Sequence, residues 1–216
     1  MIPKLIHYCW FGPNKKSDLN LTCMESWKKH LPDFEIKEWN ETNFPIDDYP
    51  FAKVAYSQRK YAFVADVARL YALQSEGGIY FDTDVEILKP LYHLLNDTAF
   101  MGFETEKMVG VGVIGSIPNG EVISVILNYY KRLPFSTIVQ PLIVTSILDR
   151  MGFDMNGESQ TAEDFLTIYS EDYFTPYNYY TKKTCLTSNS VALHHYEGSW
   201  LEKEKRNCYK SGDVLY

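Results

Sequence analysis

The stretch from Tyr61 to Asp84 restricts the architecture more than any other part of the chain. Phe63, Val67, Leu70, Tyr71 and Gln74 recur at helical spacing over 61–76, and Gly77-Gly78 ends that helix. Ile79-Tyr80-Phe81 then form a short buried strand that runs straight into Asp82-Thr83-Asp84. A helix that turns on two glycines into an apolar strand with acids at its end belongs to an α/β sheet. Ligands of such sheets bind at the carboxyl ends of the strands.

The rest of the chain extends this pattern. Residues 2–11 are apolar and aromatic, stop at Gly12-Pro13, and predict a buried first strand. Residues 17–30 predict a helix with Leu21, Met24 and Trp27 on its inner face, closed by Leu31-Pro32. Phe34 to Trp39 alternates like a second strand, and residues 40–50 read as a polar loop. Beyond Asp84, strands are expected over 85–88, 99–103, 109–116 and 191–196. Helices are expected over 121–132, 138–151 and 199–207. With 216 residues, 45% apolar and 23% charged, the chain has the composition of a globular protein, and residues 1–216 are expected to form one domain.

Charge excludes one class of partner. A net charge of −7 leaves no basic face for nucleic acid, although it permits a local cleft for a diphosphate. Cys9, Cys23, Cys185 and Cys208 have neither zinc-ribbon nor CxxC spacing, so reduced thiols in a cytoplasm are expected. Lys4 and His7 interrupt the first apolar stretch, which argues against a signal peptide.

Four groups of residues carry candidate chemistry. Two carboxylates one residue apart point to opposite sides of a strand, but where the backbone turns at a strand end both can approach one cation. Asp82 and Asp84 are therefore candidate ligands for Mn²⁺ or Mg²⁺, hard ions that are commonly shared with substrate phosphates. Asp66 and Arg69 lie on one helix face, placed either to grip sugar hydroxyls or a phosphate or to form an intrahelical ion pair. His7 and Trp10 lie on the first strand, where Trp10 is either a base-stacking ring or a core residue. His194 and His195 are adjacent on a strand and face opposite ways, so at most one can reach a site built at Asp82 and Asp84.

In chain order, Ile2-Pro3-Lys4-Leu5-Ile6-His7-Tyr8-Cys9-Trp10-Phe11-Gly12, Asp66-Val67-Ala68-Arg69, Gly77-Gly78-Ile79-Tyr80-Phe81-Asp82-Thr83-Asp84-Val85, and His194-His195 with Gly198-Ser199-Trp200 resemble one group of enzymes. These are glycosyltransferases with a DXD sugar-binding region, including capsular-polysaccharide and Och1-type mannosyltransferases. The catalytic domains of clostridial glucosylating toxins are more distantly similar. The resemblance implies a GT-A-like nucleotide-sugar-binding domain with a mixed central sheet flanked by helices. It also implies a nucleoside-diphosphate sugar donor, taken as a UDP-sugar, and transfer with retention to a glycan or lipid-linked saccharide in surface-polysaccharide synthesis.

For the residues, it implies that Trp10 stacks on the base, with His7 beside it, and that Asp66 and Arg69 contact the donor sugar. Asp82 would lie near ribose and sugar, Asp84 would bind the metal directly, and His194, in preference to His195, would complete the metal site. Ser199 and Trp200 would close over the diphosphate. The chain departs from the pattern at Ala65 (Ser in many relatives), at Gln140-Pro141 (often Gly-Pro) and at Tyr92 (often Asp).

Two alternatives use the same residues. A strand followed by D-x-D-x-V also describes haloacid-dehalogenase-type phosphatases, with Asp82 as nucleophile, but their later acidic motif is missing here. A non-catalytic carbohydrate-binding protein is the other. The expected location is the cytoplasm, with the inner face of a membrane as the place of a lipid-linked acceptor. Lys203, Lys205, Arg206 and Lys210 would favour only weak peripheral association, since Glu202 and Glu204 interrupt them.

Overall fold

The computed structural model describes residues 1–178 and 183–198. The strand β1 (Leu5–Cys9) is followed by helix α1 (Asp18–His30) and strand β2 (Glu35–Trp39). Ser17 caps α1 by a reciprocal pair of bonds with Asn20, which also places the first turn. The inner face is Asn20, Cys23 and Trp27, with Met24 partly buried against the same core; of the three expected residues only Leu21 turns outward, at 50% exposure. That cap sets the rotation of the helix, and it outweighs the apolar count.

The expected loop over 40–50 gives way to helix α2 (Pro50–Ser57), with its proline in the first turn, where no N–H is needed. Helix α3 (Tyr61–Glu76) and strand β3 (Gly78–Phe81) lie where the pattern places them. Strands β4 (Val85–Ile87), β5 (Ala99–Thr105) and β6 (Met108–Ser116) follow, then helices α4 (Glu121–Tyr130) and α5 (Gln140–Arg150). Strands β7 (Gln160–Ala162) and β8 (Leu166–Tyr169) were not expected. A two-residue pairing joins β9 (Tyr177–Asn178) to β10 (Lys183–Thr184), and the late strand is β11 (Ala192–His194).

Seven strands form one mixed sheet in the order β2-β1-β3-β6-β5-β8-β7. β1 runs parallel to β2 and β3, β6 runs antiparallel to β3 and β5, and β8 runs parallel to β5. Apolar side chains collect in two clusters. One packs α3 with α2, α4 and α5, and the other holds Trp27, Phe81 and Phe100 with the β4 and β11 segment. None of the described helices is long and apolar enough to cross a membrane.

The Gly77-Gly78 break is a steric requirement. Both residues have positive φ, and a Cβ on Gly78 would sit 2.4 Å from the Leu5 carbonyl oxygen. This close approach lets β3 pair directly with β1. It also brings the Gly77 carbonyl to His7.

Candidate metal and donor site

β3 ends at Phe81, and the chain turns at once. The Val85 amide donates to the Asp82 carbonyl at 3.0 Å, while the Asp82 amide remains tied to Gly112 on β6 at 2.8 Å. The turn folds Asp84 back toward Asp82. β11 then pairs antiparallel with β4, His194 opposite Val85, and so delivers an imidazole beside Asp84. One ligand atom each from Asp82, Asp84 and His194 lies within 4.8 Å of the others. Two carboxylates and an imidazole fit a divalent cation such as Mn²⁺ or Mg²⁺.

Three of the four oxygens of the two acids face a defined partner. Asp82 Oδ1 accepts from the Tyr80 hydroxyl at 2.8 Å and lies 3.3 Å from the Arg69 guanidinium, so Oδ2 is left facing β6. Asp84 Oδ2 accepts from the Glu197 amide at 2.8 Å, and Oδ1 lies 3.2 Å from His194 Nε2. Burial works against both charges, but the Asp84–His194 attraction outweighs it. It lifts the imidazole to about 9 and holds the Asp84 carboxyl at about 2. The pair with Asp84 thus favours the protonated form of His194.

His195 turns the other way. Its Nε2 meets Glu86 Oε2 at 2.9 Å, so of the two candidate metal ligands the strand's alternation brings His194 to the cluster and leaves His195 outside it.

α3 supplies the floor. Asp66 and Arg69 are both buried, although they were expected off the apolar stripe. Arg69 lies 3.3 Å from Asp66, donates to the Val111 carbonyl at 2.8 Å, and stacks its guanidinium over Tyr80 at 4.5 Å. Burial would lower its pKa, but Asp82, Tyr80 and Asp66 together raise it, so it remains charged. Burial pushes the Asp66 carboxyl up to about 7 against the pull of Arg69. Gln140, at the start of α5, donates to the Asp66 carbonyl at 2.7 Å. One guanidinium thus joins the two acids that the sequence places sixteen residues apart on different elements.

Two residues of β1 end differently from one another. His7 is fully buried; its Nε2 lies 2.6 Å from the Gly77 carbonyl and its Nδ1 lies 3.0 Å from Trp39 Nε1. A carbonyl only accepts and an indole N–H only donates, so the ring is neutral with its proton on Nε2. Burial pushes its pKa down in agreement. Both nitrogens are engaged, which corrects the expectation that His7 contacts a donor: it ties β1 to the glycine turn. Trp10 is half-buried just past β1, donates Nε1 to the Asn14 carbonyl at 2.8 Å, and carries the Lys16 ammonium 5.1 Å from its ring. Ser199 and Trp200 lie outside the described residues, as do the helix expected over 199–207 and the basic residues 203–210.

The sequence reading missed two residues near the cluster. Tyr80 holds Asp82; its place two residues earlier on the same strand face was the available signal. Glu104, on β5, lines a small pocket with His194, Gly112 and Thr175. Burial pushes its carboxyl up to about 7, with His194 pulling it down and Asp82 pushing it up. Residue spacing gives no sign of it.

Comparison with known proteins points one way. Residues 17–101 match the family described as "Glycosyltransferase sugar-binding region containing DXD motif". Inositol phosphoceramide mannosyltransferase 3 of Schizosaccharomyces pombe is 28% identical over 142 residues, covering 62% of this chain and 39% of the relative. Mannosyl phosphorylinositol ceramide synthase CSH1 of Saccharomyces cerevisiae is also 28% identical, over 152 residues. The chain spans about two fifths of the length of these curated relatives.

Among solved structures, the PaToxG glycosyltransferase superposes with a TM-score of 0.54 at 18% identity, over 70% of this chain and 69% of that one. A glycosyltransferase involved in glycosylation of the major capsid of PBCV-1 superposes with a TM-score of 0.53 at 10% identity, over 98% of this chain and 100% of that one. The fold is the GT-A-like α/β fold of such enzymes, with the expected mixed sheet flanked by helices. The phosphatase alternative expects its acidic strand at the start of the domain; here that strand is third in the chain.

Proposed function

We propose, for a chain that matches a DXD sugar-binding region and carries its two acids on a GT-A-like sheet, that it is a divalent-cation-dependent glycosyltransferase using a nucleoside-diphosphate sugar. The observation that carries this reading is the convergence of Asp82, Asp84 and His194 at the end of β3. When bound, the cation neutralises the donor diphosphate and stabilises the charge that builds on it as the sugar leaves. Asp84 and His194 would hold that cation, with Asp82 beside them. Arg69, fixed by the Val111 carbonyl and the Tyr80 ring, holds Asp82 and Asp66 toward the sugar. The Trp10 ring offers a face to the base. The resemblance assigns to Ser199 and Trp200 the role of closing over the diphosphate. Residues 1–216 act as one such domain.

The finer features rest on resemblance. They are transfer with retention, a uracil base and Mn²⁺ as the ion. The names of the yeast relatives favour mannose as the sugar and a lipid-linked saccharide as the acceptor, while the capsular resemblance favours surface-polysaccharide synthesis. We place the reaction in the cytoplasm, at the inner face of a membrane when the acceptor is lipid-linked. The unpaired Cys9, Cys23 and Cys185 are consistent with that compartment. A panel of UDP- and GDP-sugars, mannose donors included, tests the reading: one donor is expected to be hydrolysed or transferred with Mn²⁺ and not in EDTA. Equal turnover in EDTA would reject the cation's role.

The raised imidazole gives a second expected result. A cation must displace the His194 proton, because the imidazole binds metal only when neutral. Against burial, the Asp84 carboxylate favours that proton in the free protein and raises the imidazole above its ordinary value. Mn²⁺ affinity is therefore expected to rise with pH, by up to about tenfold per unit, over the range in which the imidazole is protonated, with proton release on binding. Calorimetry in buffers of different ionisation enthalpy reads this directly. A pH-independent affinity would show that His194 is not a ligand.

A further inference from the structure

Asn20 is a polar side chain that the fold takes inside. It is 2% exposed, on the inner face of α1. Its Oδ1 accepts from the Ser17 amide at 2.9 Å, and its Nδ2 donates to Glu197 Oε2 at 3.1 Å. The reverse orientation would set an oxygen against the carboxylate and an NH2 group against an N–H, so these two partners fix the amide. One half of it caps its own helix. The other half crosses to a residue 177 positions later.

That bond ends beside the candidate cation site. The Glu197 side chain goes to Asn20, while the Glu197 backbone amide donates to Asp84 Oδ2 at 2.8 Å. The residue before it, Tyr196, has a φ of 49°, a left-handed conformation that a tyrosine keeps only where its surroundings impose it. The turn is held on one side by the Tyr196 ring, stacked on His194 at 4.1 Å, and on the other by the bond to Asn20. It brings an N–H onto one oxygen of Asp84 and leaves the other, Oδ1, facing His194.

We propose that Asn20 is a positioning residue for the cation site: through the Glu197 side chain it holds the Glu197 amide on Asp84 Oδ2, and so keeps Asp84 Oδ1 turned toward the ion. A carboxylate that binds a metal is oriented by the hydrogen bonds its own oxygens accept. The inference rests on the cation-binding reading of Asp82, Asp84 and His194, but the chain of bonds from Asn20 through Glu197 to Asp84 does not need the cation. It also gives the Asn20 Nδ2 a purpose that capping does not, since the cap uses only Oδ1 and the backbone N–H.

The test exchanges the two partners. Mn²⁺ binding is read by calorimetry, and hydrogen exchange of the amide at position 197 by NMR in the cation-free protein. Glu197→Ala leaves α1 and its cap untouched and is expected to weaken Mn²⁺ binding about tenfold. Asn20→Asp keeps the capping oxygen but sets a second carboxylate against Glu197. It is expected to weaken binding as well, although an added negative charge alone would favour a cation. Adding Glu197→Gln to Asn20→Asp moves the amide to the other partner, restores the bond at the wild-type net charge, and is expected to recover binding to within about twofold. The amide at position 197 is expected to exchange about tenfold faster in the two single variants than in the wild type or the double variant.

Wild-type affinity in both single variants would overturn the inference, because a bond that serves packing alone changes Tm and not Mn²⁺ binding. A double variant that binds no better than Asn20→Asp would do the same. Absence of Mn²⁺ binding by the wild type would reject the cation reading alone, and the exchange rates would still decide whether Asn20 holds the Glu197 amide on Asp84.

Discussion

Replacing Asp84 with alanine is expected to lower kcat/KM for the donor by about a thousandfold or more while leaving the protein folded. The magnitude is that of removing one preorganised group from the charge that develops in a transition state. The structure explains why the fold survives. Asp84 is the group that most raises the His194 pKa, with burial opposing it. Without the carboxylate, the largest of the groups that raise the imidazole is gone, and burial favours loss of its proton over an unpaired interior cation. The Glu197 amide loses an acceptor at the edge of the site, a loss of about 1 kcal/mol. Steady-state assays with and without Mn²⁺, beside far-UV circular dichroism, check both halves. Wild-type turnover in Asp84→Ala would reject the assignment.

The second large effect is on stability. Arg69→Met is expected to destabilise the protein by about 3 to 5 kcal/mol, the usual cost of breaking a buried ion pair from one side. In a chain of this size that lowers Tm by about 10 °C. Only 6% of the Arg69 side chain is exposed, and it faces two acids, Asp66 and Asp82. Removing it leaves both acids in place and unopposed.

The pH dependence has a definite sign. Burial and Asp82 push the Asp66 carboxyl up, and Arg69 is the group that pulls it down. Without Arg69 the carboxyl takes a proton more readily, and its ionisation opposes folding once pH exceeds its ordinary value near 3.8. The deficit relative to wild type is therefore expected to be larger at about pH 8 than at about pH 5. Denaturant titrations at the two pH values read it, and a pH-independent deficit would mean that packing dominates. The exposed pair Lys28–Glu25 provides the contrast. At 59% and 71% exposure, Lys28→Ala is expected to change stability by no more than about 0.5 kcal/mol.

The central block was legible because several signals agree there. Helical spacing over 61–76, two glycines and a strand that ends in acids leave few alternatives, and α3 and β3 fall where they should. The α1 stripe was misjudged at one position, because Leu21 outscores Asn20 on apolarity. The Ser17–Asn20 cap and the bond from Asn20 to Glu197 turn the polar residue inward instead. Pro50 was read as the end of a loop when it begins α2. β7 and β8 are short and carry polar residues at Gln160, Thr161 and Thr167, so alternation does not mark them.

At the site, Asp82, Asp84 and His194 could be found because their residue types limit what they can bind. His7 misled because a histidine fully satisfied by one carbonyl and one indole looks in sequence like any other. Glu104 was hidden because a register break between paired strands leaves no mark on a single chain.

The pairing of β11 with β4 rests on three residue pairs, Ala192 with Ile87, Leu193 with Glu86 and His194 with Val85. It stands apart from the seven-stranded sheet. A seam this short can part without disturbing the large sheet, since small units open at far lower cost than the whole domain. Parting it withdraws the imidazole while Asp82 and Asp84 stay on the end of β3. For an ion held by all three residues, that local opening and not global unfolding would set the residence time. Hydrogen exchange at the His195 amide, which donates to the Asp84 carbonyl across this seam, would report the frequency of that opening.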